Sequence, residues 1–320
     1  MIKAVAILGG TGFVGRHLAN RLTKTRYRLR VLTRRRERHR DLLVIPTLDL
    51  VEADVHDSAV LQHELRGCDA VINLIGILNE RGDDGSGFRE AHVELCRKLI
   101  AACRANDIPR LLHMSALNAD ASGPSHYQRT KGEAEDLVHA AAGEDFRVTS
   151  FRPSVIFGPD DDFFNRFARL LRFTPVVFPL GCPKARFAPV YVGDVVEAMA
   201  LSLTDPATYG RRYDLCGPKA YTLAELVAYT AQCLKLRRYV LPLSARLSLL
   251  QAQVLEHVPG KPLSLDNYRS LQIDSVCGGE NGLLSLGITP TAVESVVPGY
   301  LAERGQRGLY RKLRALARRH

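Results

Sequence analysis

The chain has 320 residues, of which 46% are hydrophobic and 24% are charged. This is the composition of an ordinary globular protein with enough apolar material for one large or two medium domains. The net charge of +10 is unevenly spread, because residues 304–320 hold seven basic residues and no acidic one. The rest of the chain is close to neutral, which argues against a protein-wide nucleic-acid-binding surface.

The cysteines are scattered and form neither a CxxC pair nor a cysteine–histidine cluster with zinc spacing. They are Cys68, Cys96, Cys103, Cys182, Cys216, Cys233 and Cys277. This pattern predicts reduced thiols, a cytoplasmic compartment and no metal site. The apolar start of the chain is too short for a signal peptide, and no apolar run reaches the roughly 20 residues of a membrane span.

Short apolar segments alternate with helical segments over the first half of the chain. Strands are predicted at 2–8, at 28–33, in a segment ending at Asp54, and at 69–75, 110–116 and 146–153. Helices are predicted after Gly15, from Asp54 to Leu65, up to about Ala105, and at 127–142. This alternation predicts an α/β fold with a Rossmann-type, doubly wound parallel sheet.

The alternation loosens after Pro153, where prolines and glycines interrupt the pattern. We therefore predict a nucleotide-binding domain at 1–153, a smaller mixed C-terminal substrate domain at 154–303, and a basic tail at 304–320. The helical periodicity of 191–204 suggests that this segment returns to the first domain.

A glycine-rich turn follows the first strand and opens a helix, with glycines in a GxxGxxG pattern. The first glycine permits a tight turn, the second lets a phosphate approach, and the third lets helix and strand pack closely. The free amides and dipole of the helix N-terminus suit a pyrophosphate. The expected cofactor-binding residues of this turn are Gly9, Thr11, Gly12, Phe13, Val14 and Gly15.

The end of the second strand decides between NAD and NADP, because an acidic residue there binds the ribose 2′-hydroxyl of NAD. This chain instead has Arg34 and Arg35, and guanidinium groups bind a 2′-phosphate. The sequence thus predicts NADP(H) in preference to NAD(H), with a solvated basic loop as the alternative. Asp54 and Val55 are expected near the adenine, although Asp54 is equally suited to cap the following helix.

Tyr127 and Lys131 form a YxxxK pair, which places both side chains on one helix face. A nearby ammonium group is expected to lower the pKa of the phenol, so that Tyr127 exchanges a proton with a carbonyl or alcohol. Lys131 is also suited to hold the nicotinamide ribose. Ser115 ends the fifth strand, where it is suited to hydrogen-bond the reacting oxygen. The alternative is a buried tyrosine beside a solvated lysine.

These motifs, with the segments 152–159 (RPSVIFGP) and 190–199 (VYVGDVVEAM), resemble the extended or atypical branch of the short-chain dehydrogenase/reductase superfamily. The stretches 113–135 and 260–276 are similar to bacterial relatives of the nucleotide-binding accessory subunit of mitochondrial respiratory complex I. The resemblance implies Ser-Tyr-Lys chemistry with NADP(H) and a substrate pocket in the C-terminal half. It also implies that Asn73 and Gly76 lie beside the cofactor and Pro153 near the nicotinamide.

Two apolar or basic segments remain outside this site. Residues 239–258 carry Leu247, Leu250, Val254 and Val258 at helical spacing, which favours a core helix over a hydrophobic pocket or a membrane-facing surface. In the basic tail, Leu309, Leu313 and Leu316 lie among arginines. That pattern suits an anionic membrane surface or a respiratory or quinone-synthesis complex, with a solvated helix or frayed tail as the alternative.

Together these features predict an NADP(H)-dependent oxidoreductase that acts on a carbonyl, alcohol or quinone-related small molecule, with hydrophobic compounds among the candidates. A peripheral position at the inner face of the membrane fits the tail. One alternative is a redox-inactive, nucleotide-bound scaffold or assembly factor, since the complex I accessory subunit is thought to serve structure. Another is a nucleotide-sugar epimerase or dehydratase, although the sequence offers no obvious set of diphosphate contacts beyond a contribution from Arg186 and Arg211.

Overall fold

The computed structural model describes residues 2–259 and 261–301. The basic tail at 304–320 lies outside these residues. Thirteen strands are found in the described part: β1 Ala4–Leu8, β2 Arg28–Thr33, β3 Leu48–Glu52, β4 Ala70–Asn73, β5 Arg110–Met114, β6 Arg147–Pro153, β7 Ile156–Phe157, β8 Val177–Leu180, β9 Arg186–Phe187, β10 Val190–Tyr191, β11 Arg212–Leu215, β12 Tyr221–Thr222 and β13 Tyr239–Pro242.

The α-helices of the described residues are α1 Phe13–Leu22, α2 Ser58–Glu64, α3 Ser86–Arg89, α4 Leu95–Ala105, α5 His126–Ala140, α6 Phe164–Phe173, α7 Val192–Ser202, α8 Leu223–Cys233, α9 Ala245–Leu255, α10 Leu265–Ser270, α11 Gly282–Ser285 and α12 Val293–Leu301. A π-helical turn over Glu90–Glu94 joins α3 to α4. No helix of the described chain is long and apolar enough to cross a bilayer.

Seven strands form one parallel sheet in the order β3-β2-β1-β4-β5-β6-β11, which confirms the predicted fold class. The strand order reverses between β1 and β4, and ligands of open α/β sheets bind at such a point, outside the carboxyl ends of the strands. The central strand β1 is apolar throughout because helices cover both faces of the sheet. Strand β11 joins this sheet although it lies beyond Pro153 in the sequence.

Two layers of helices bury the sheet. On one face, Leu18 and Leu22 of α1 and Val195 and Met199 of α7 pack in the same core cluster as Ile7. The Arg21 guanidinium also donates to the Glu197 carboxylate, with Nη2 2.8 Å from Oε1, and joins α1 to α7. The opposite face is covered by α2, α4 and α5. The segment 191–204 thus packs beside the glycine-turn helix.

The prediction that all cysteines are reduced thiols is wrong for one pair. Cys216 and Cys277 form a disulfide across 61 residues. Both cysteines lie beside Ala188, whose carbonyl accepts from Gly217 N–H and whose N–H donates to the Ser275 carbonyl. The cysteines therefore meet through contacts between distant segments, which spacing along the chain does not reveal. Cys68, Cys96 and Cys103 are buried free thiols.

The apolar helix predicted within 239–258 is α9, and the favoured interpretation of its leucines as core is wrong. Leu247, Leu250 and Val254 are 51%, 54% and 58% exposed. The helix packs instead through the small side chains of Ser248 and Ala252. An i, i+3, i+7 pattern identifies an apolar stripe, but it does not show whether the fold covers that stripe.

Candidate nucleotide-binding and catalytic site

The glycine turn joins β1 to α1 at the switch point of the sheet. Gly9 has φ +75°, a conformation that L side chains rarely adopt, and its carbonyl accepts from Gly12 N–H at 3.0 Å. A Cβ on Gly15 would lie 2.4 Å from Gly10 Cα, so helix and turn touch backbone to backbone. These contacts require glycine at both ends of the motif.

The N-terminus of α1 is suited to an anion. Gly12 is its N-cap and no side chain caps it, so the amides of Phe13, Val14 and Gly15 have no partner within the helix. A cavity of about 410 Å³ adjoins this turn and is lined by Thr11, Gly12, Phe13, Arg16, His17, Asn20, Asp41, Leu42, Ile45 and Asp160. These features fit the pyrophosphate of a dinucleotide.

Two basic residues follow β2, at the position where Rossmann folds contact the adenosine ribose of the cofactor. Thr33 is buried, whereas Arg34 and Arg35 are exposed and make no ion pair within 2–259 or 261–301. The Glu52 carboxylate, at the end of β3, accepts from Arg36 N–H rather than pairing with either guanidinium. Two unpaired cations thus stand at the predicted position.

The adenine side differs from the sequence prediction in one respect. Strand β3 ends at Glu52, and the N-cap of α2 is Asp57, whose carboxylate accepts from Ala59 and Val60 N–H. The suggested capping role of Asp54 is therefore wrong, because Asp54 lies three residues too early and instead accepts from His56 N–H at 3.0 Å. Val55 is buried beside it.

The loop after β4 crosses the glycine turn. A Cβ on Gly9 would lie 3.1 Å from the Leu74 carbonyl carbon. Asn73 Oδ1 accepts from Ile75 N–H at 3.1 Å, which fixes the start of this loop. Gly76 follows, and a Cβ there would lie 3.0 Å from Lys131 Nζ. The loop thus runs from the glycine turn to the YxxxK pair.

Ser115 and Lys131 meet at the carboxyl end of β5. Lys131 is 4% exposed, and its Nζ donates to the Met114 carbonyl at 2.9 Å, directly before Ser115. The Ser115 hydroxyl is buried and makes no hydrogen bond within the described chain. Tyr127 lies one turn before Lys131 on α5. Pro153 ends the neighbouring strand, and its carbonyl accepts from Leu117 N–H.

Burial controls the protonation of this cluster. It lowers the pKa of Lys131 to about 8 and raises the pKa of Tyr127 to about 12. The predicted lowering of the phenol pKa by Lys131 is therefore wrong, because the ammonium is directed to the Met114 carbonyl and desolvation of Tyr127 dominates. At neutral pH Tyr127 is a protonated phenol, which suits a proton donor.

The lowered pKa of Lys131 leads to a prediction about the stability of the fold. An unfolded lysine titrates near 10.5 and Lys131 near 8, so the folded protein binds fewer protons between these values and gains stability as the pH rises. Below that window the cost of burying the ammonium is fully present. Lys131→Met removes this cost but also removes the hydrogen bond from Lys131 to the Met114 carbonyl. The net effect should be to raise the free energy of unfolding at neutral pH by about 2 kcal/mol.

Urea denaturation at neutral pH and near pH ~10 checks this expectation. The exposed Lys184→Met is the matched control and should change stability little at either pH. Equal or lower stability of Lys131→Met at neutral pH would show that the Lys131 side chain stabilises the folded state.

Sequence reasoning missed two residues of this site. His92 lies in the π-helical turn, with its ring centroid 5.7 Å from that of Tyr127. Its Nε2 accepts from Ile77 N–H, and Nδ1 therefore donates to Thr130 Oγ1 at 2.9 Å. Burial, with the Lys131 charge, lowers the pKa of His92 to about 2, so the ring is neutral. A single histidine within a helix gives no local signal of this position.

Asp266 is the second missed residue. Its carboxylate, on α10, accepts from His126 N–H at 2.6 Å and Tyr127 N–H at 3.1 Å. This contact joins the C-terminal half to the helix that carries the YxxxK pair. An acidic group at a helix N-terminus is favourable, and it is 139 residues from Tyr127 in sequence.

The two arginines considered as diphosphate contacts lie apart. Arg211 directly precedes β11 and its carbonyl accepts from Ser150 N–H, which places it at the amino end of the strand. Ser115 follows the carboxyl end of β5, so Arg211 is at the opposite edge and that suggestion is wrong. Arg186 lies on β9 and pairs through its backbone with Ser275.

The sheet order, glycine turn and YxxxK helix define an NAD(P)-binding Rossmann protein of the extended short-chain dehydrogenase/reductase type. The model of the NAD dependent epimerase/dehydratase family matches residues 5–216, about two thirds of the chain. The chain therefore belongs to the NAD-dependent epimerase/dehydratase family, and the predicted resemblance is confirmed.

Named relatives include subunits of mitochondrial NADH-ubiquinone oxidoreductase. The 40 kDa subunit of Neurospora crassa is 28% identical over 69% of this chain and 57% of its own length. Subunit 9 of the 1 alpha subcomplex from Mus musculus is 28% identical over 90% of this chain and 77% of its own length. Ceramide reductase of Caulobacter vibrioides is 31% identical over 63% and 61%. The chain thus matches little more than half of the Neurospora protein.

Solved structures share the fold at low sequence identity. MoeE5, solved with UDP-glucose and NAD, has a TM-score of 0.73 and 22% identity, and the match covers 96% of this chain and 99% of that one. The UDP-glucose 4-epimerase of Thermus thermophilus, solved with NAD, has a TM-score of 0.65 and 20% identity over 83% and 99%. At this identity the likeness concerns the fold alone.

Proposed function

We propose that this protein is an NADP(H)-dependent oxidoreductase that reduces the carbonyl group of an apolar small molecule. The observation that carries the proposal is the cluster at the end of β5, where a buried Ser115 hydroxyl without a protein hydrogen bond lies next to the carbonyl that holds Lys131. A buried polar group normally has a partner, and a substrate oxygen would provide one.

The chain's own residues have separate roles in this reaction. Ser115 donates to the substrate oxygen and Tyr127 transfers its proton to that oxygen as charge develops. Lys131 stabilises the phenolate that remains, since a cation favours the charged form. Gly76 leaves room for the Lys131 amine beside the β4 loop. A nicotinamide cofactor held by the glycine turn supplies the hydride that the carbonyl carbon gains.

The names of two relatives favour turnover and an apolar substrate. Ceramide reductase and a farnesylated dihydroquinoline-oxide ketoreductase of Stigmatella aurantiaca, 28% identical over 49% of this chain, are both reductases by name. The scaffold alternative is favoured instead by the complex I subunits among the relatives. A turnover assay distinguishes the oxidoreductase from the scaffold. NADPH-dependent reduction of any apolar carbonyl compound or quinone supports the enzyme, and tight nucleotide binding without turnover supports the scaffold.

The preference for NADP(H) rests on Arg34 and Arg35, which are exposed and unpaired within the described residues. Arg34→Ala with Arg35→Ala should weaken NADPH binding roughly ten- to hundredfold and leave NADH binding unchanged, because only NADPH carries the 2′-phosphate. Calorimetric titration checks this.

The exposed Arg104→Ala, at the end of α4, is the matched control and should bind NADPH normally. NADH binding as tight as NADPH binding in the unchanged protein would overturn the assignment to NADP(H). So would unaltered NADPH affinity in the Arg34/Arg35 double variant.

A further inference from the structure

The exposed apolar side chains of this protein concentrate in two segments, 173–177 and 239–258. Ten of the sixteen large hydrophobic residues exposed among the described residues lie there. We name them the apolar face: Phe173, Val176, Val177, Tyr239, Leu241, Leu247, Leu249, Leu250, Val254 and Val258. Scattered exposed apolar residues are normal, but a concentration of this kind marks an interaction surface.

A two-stranded parallel sheet forms one half of the apolar face. Strand β8 pairs with β13, so that Val177 lies beside Tyr239 and Pro179 beside Leu241. These four side chains are exposed, whereas Phe178 and Leu180 are buried in a cluster with helix α8. The alternation along the strands shows that one side of the sheet packs and the other is uncovered.

Helix α9 forms the other half and lies against the end of β8. Gln251 Nε2 donates to the Pro179 carbonyl at 3.0 Å, and Ser248 Oγ accepts from Cys182 N–H at 3.0 Å. These two contacts fix the packed side of the helix. Leu247, Leu250 and Val254 lie on another side, exposed to solvent.

The charge around the apolar face is predominantly positive. The segments 163–193 and 226–255 contain nine basic residues and no acidic one. The basic residues are Arg166, Arg169, Arg172, Lys184, Arg186, Lys235, Arg237, Arg238 and Arg246. Arg172, Arg237 and Arg246 are exposed and take part in no ion pair of the described chain. The one acidic residue within 239–258 is Glu256, which is half-buried and accepts from Leu265 N–H. The apolar face is therefore bordered mainly by exposed basic residues and is complementary to anionic lipid.

The apolar face is joined to the catalytic helix by short contacts. Glu256, at the end of α9, accepts from Leu265 N–H at 2.9 Å, and the neighbouring Asp266 accepts from Tyr127 N–H. A surface that rests on a bilayer here would hold helix α5, which carries Tyr127, close to the lipid. An apolar carbonyl compound dissolved in the bilayer would then have a short path to Tyr127.

We infer that the apolar face docks on the surface of an anionic phospholipid bilayer. The inserted residues are Phe173 and the exposed side chains of β8, β13 and α9, and the arginines contact the headgroup phosphates. Binding by this face depends neither on the proposed reaction nor on the basic tail. Its failure and the failure of the oxidoreductase are therefore separate results.

Cosedimentation of the full chain with vesicles tests the inference. Vesicles of equimolar phosphatidylglycerol and phosphatidylcholine should bind the protein, and pure phosphatidylcholine should bind it far less. Replacing Phe173, Leu250 and Val254 by serine should weaken binding roughly tenfold or more, because that apolar area no longer leaves water. Replacing Arg172, Arg237 and Arg246 by glutamine should weaken it roughly hundredfold at low salt.

Two controls distinguish the apolar face from the rest of the protein surface and from the basic tail. Leu201→Ser with Leu284→Ser removes exposed leucines outside the apolar face and should bind vesicles normally. A full-length variant in which the basic residues at 304–320 are replaced by glutamine should still bind the vesicles. Adding the serine substitutions of Phe173, Leu250 and Val254 to that variant should abolish the remaining binding. Thermal unfolding confirms that each variant is folded.

Three results would overturn the inference. Unchanged vesicle binding by both the serine and the glutamine triple variants would show that the face is not the contact. Loss of all binding with the altered tail alone would assign the contact to residues 304–320. A dimer in light scattering that the serine variant converts to a monomer would show that a second copy covers the face.

Discussion

Tyr127→Phe should lower kcat by at least the ~10²-fold that a positioned acid contributes, with NADPH affinity little changed. The substitution keeps the ring, which packs against Phe88 and His92, and removes only the hydroxyl. Since burial raises the pKa of Tyr127 to about 12, the wild-type phenol is protonated at neutral pH and ready to donate. Steady-state kinetics with calorimetric titration of NADPH measure both quantities.

Tyr27→Phe is the matched control, because Tyr27 directly precedes β2 and so lies at the amino ends of the strands, away from Ser115. It should leave kcat unchanged. Full activity in Tyr127→Phe would remove Tyr127 as the proton donor. Loss of activity with an equal loss of NADPH affinity would assign Tyr127 to binding instead.

Gly15→Ala should abolish nucleotide binding and destabilise the fold by about 1–3 kcal/mol, the usual cost of forcing extra volume into a packed site. The new Cβ would lie 2.4 Å from Gly10 Cα and 2.5 Å from the Gly9 carbonyl oxygen. Both neighbours are backbone, so no side chain can rotate away, and the turn that holds the phosphates must shift. Thermal unfolding and NADPH titration measure the two effects.

Gly143→Ala is the matched control, because a Cβ there meets no atom within 4 Å. It should leave stability and NADPH binding nearly unchanged. A Gly15→Ala protein that binds NADPH as tightly as the unchanged chain would show that the close approach of α1 to the turn does not set the cofactor site.

The sequence predicted the parallel sheet because short apolar segments alternate with helical segments over the first half of the chain. The YxxxK pair was also recognisable, since two residues four apart on a helix lie on the same face whatever the rest of the fold. These features depend on local spacing.

Features that depend on distant segments were missed or wrong. His92 reaches Tyr127 through a π-helical turn, and Asp266 reaches it from 139 residues away. The Cys216–Cys277 pair likewise forms only because two segments meet beside Ala188. The leucines of α9 had the right periodicity for a core, yet nothing in the described chain covers them. The predicted direction of the Tyr127 pKa shift was wrong, because burial raises this pKa and the burial of a side chain cannot be judged from residue spacing.

The most direct test of the proposed function is hydride transfer from NADPH deuterated at the nicotinamide C4 position. The full chain, in a single turnover with apolar ketones and aldehydes, should place deuterium on the carbinol carbon of the alcohol product. Tyr127→Phe should bind the same NADPH and transfer the label at least ~10²-fold more slowly. Tight NADPH binding with no label in any product would contradict the reductase and leave the nucleotide-bound scaffold as the function.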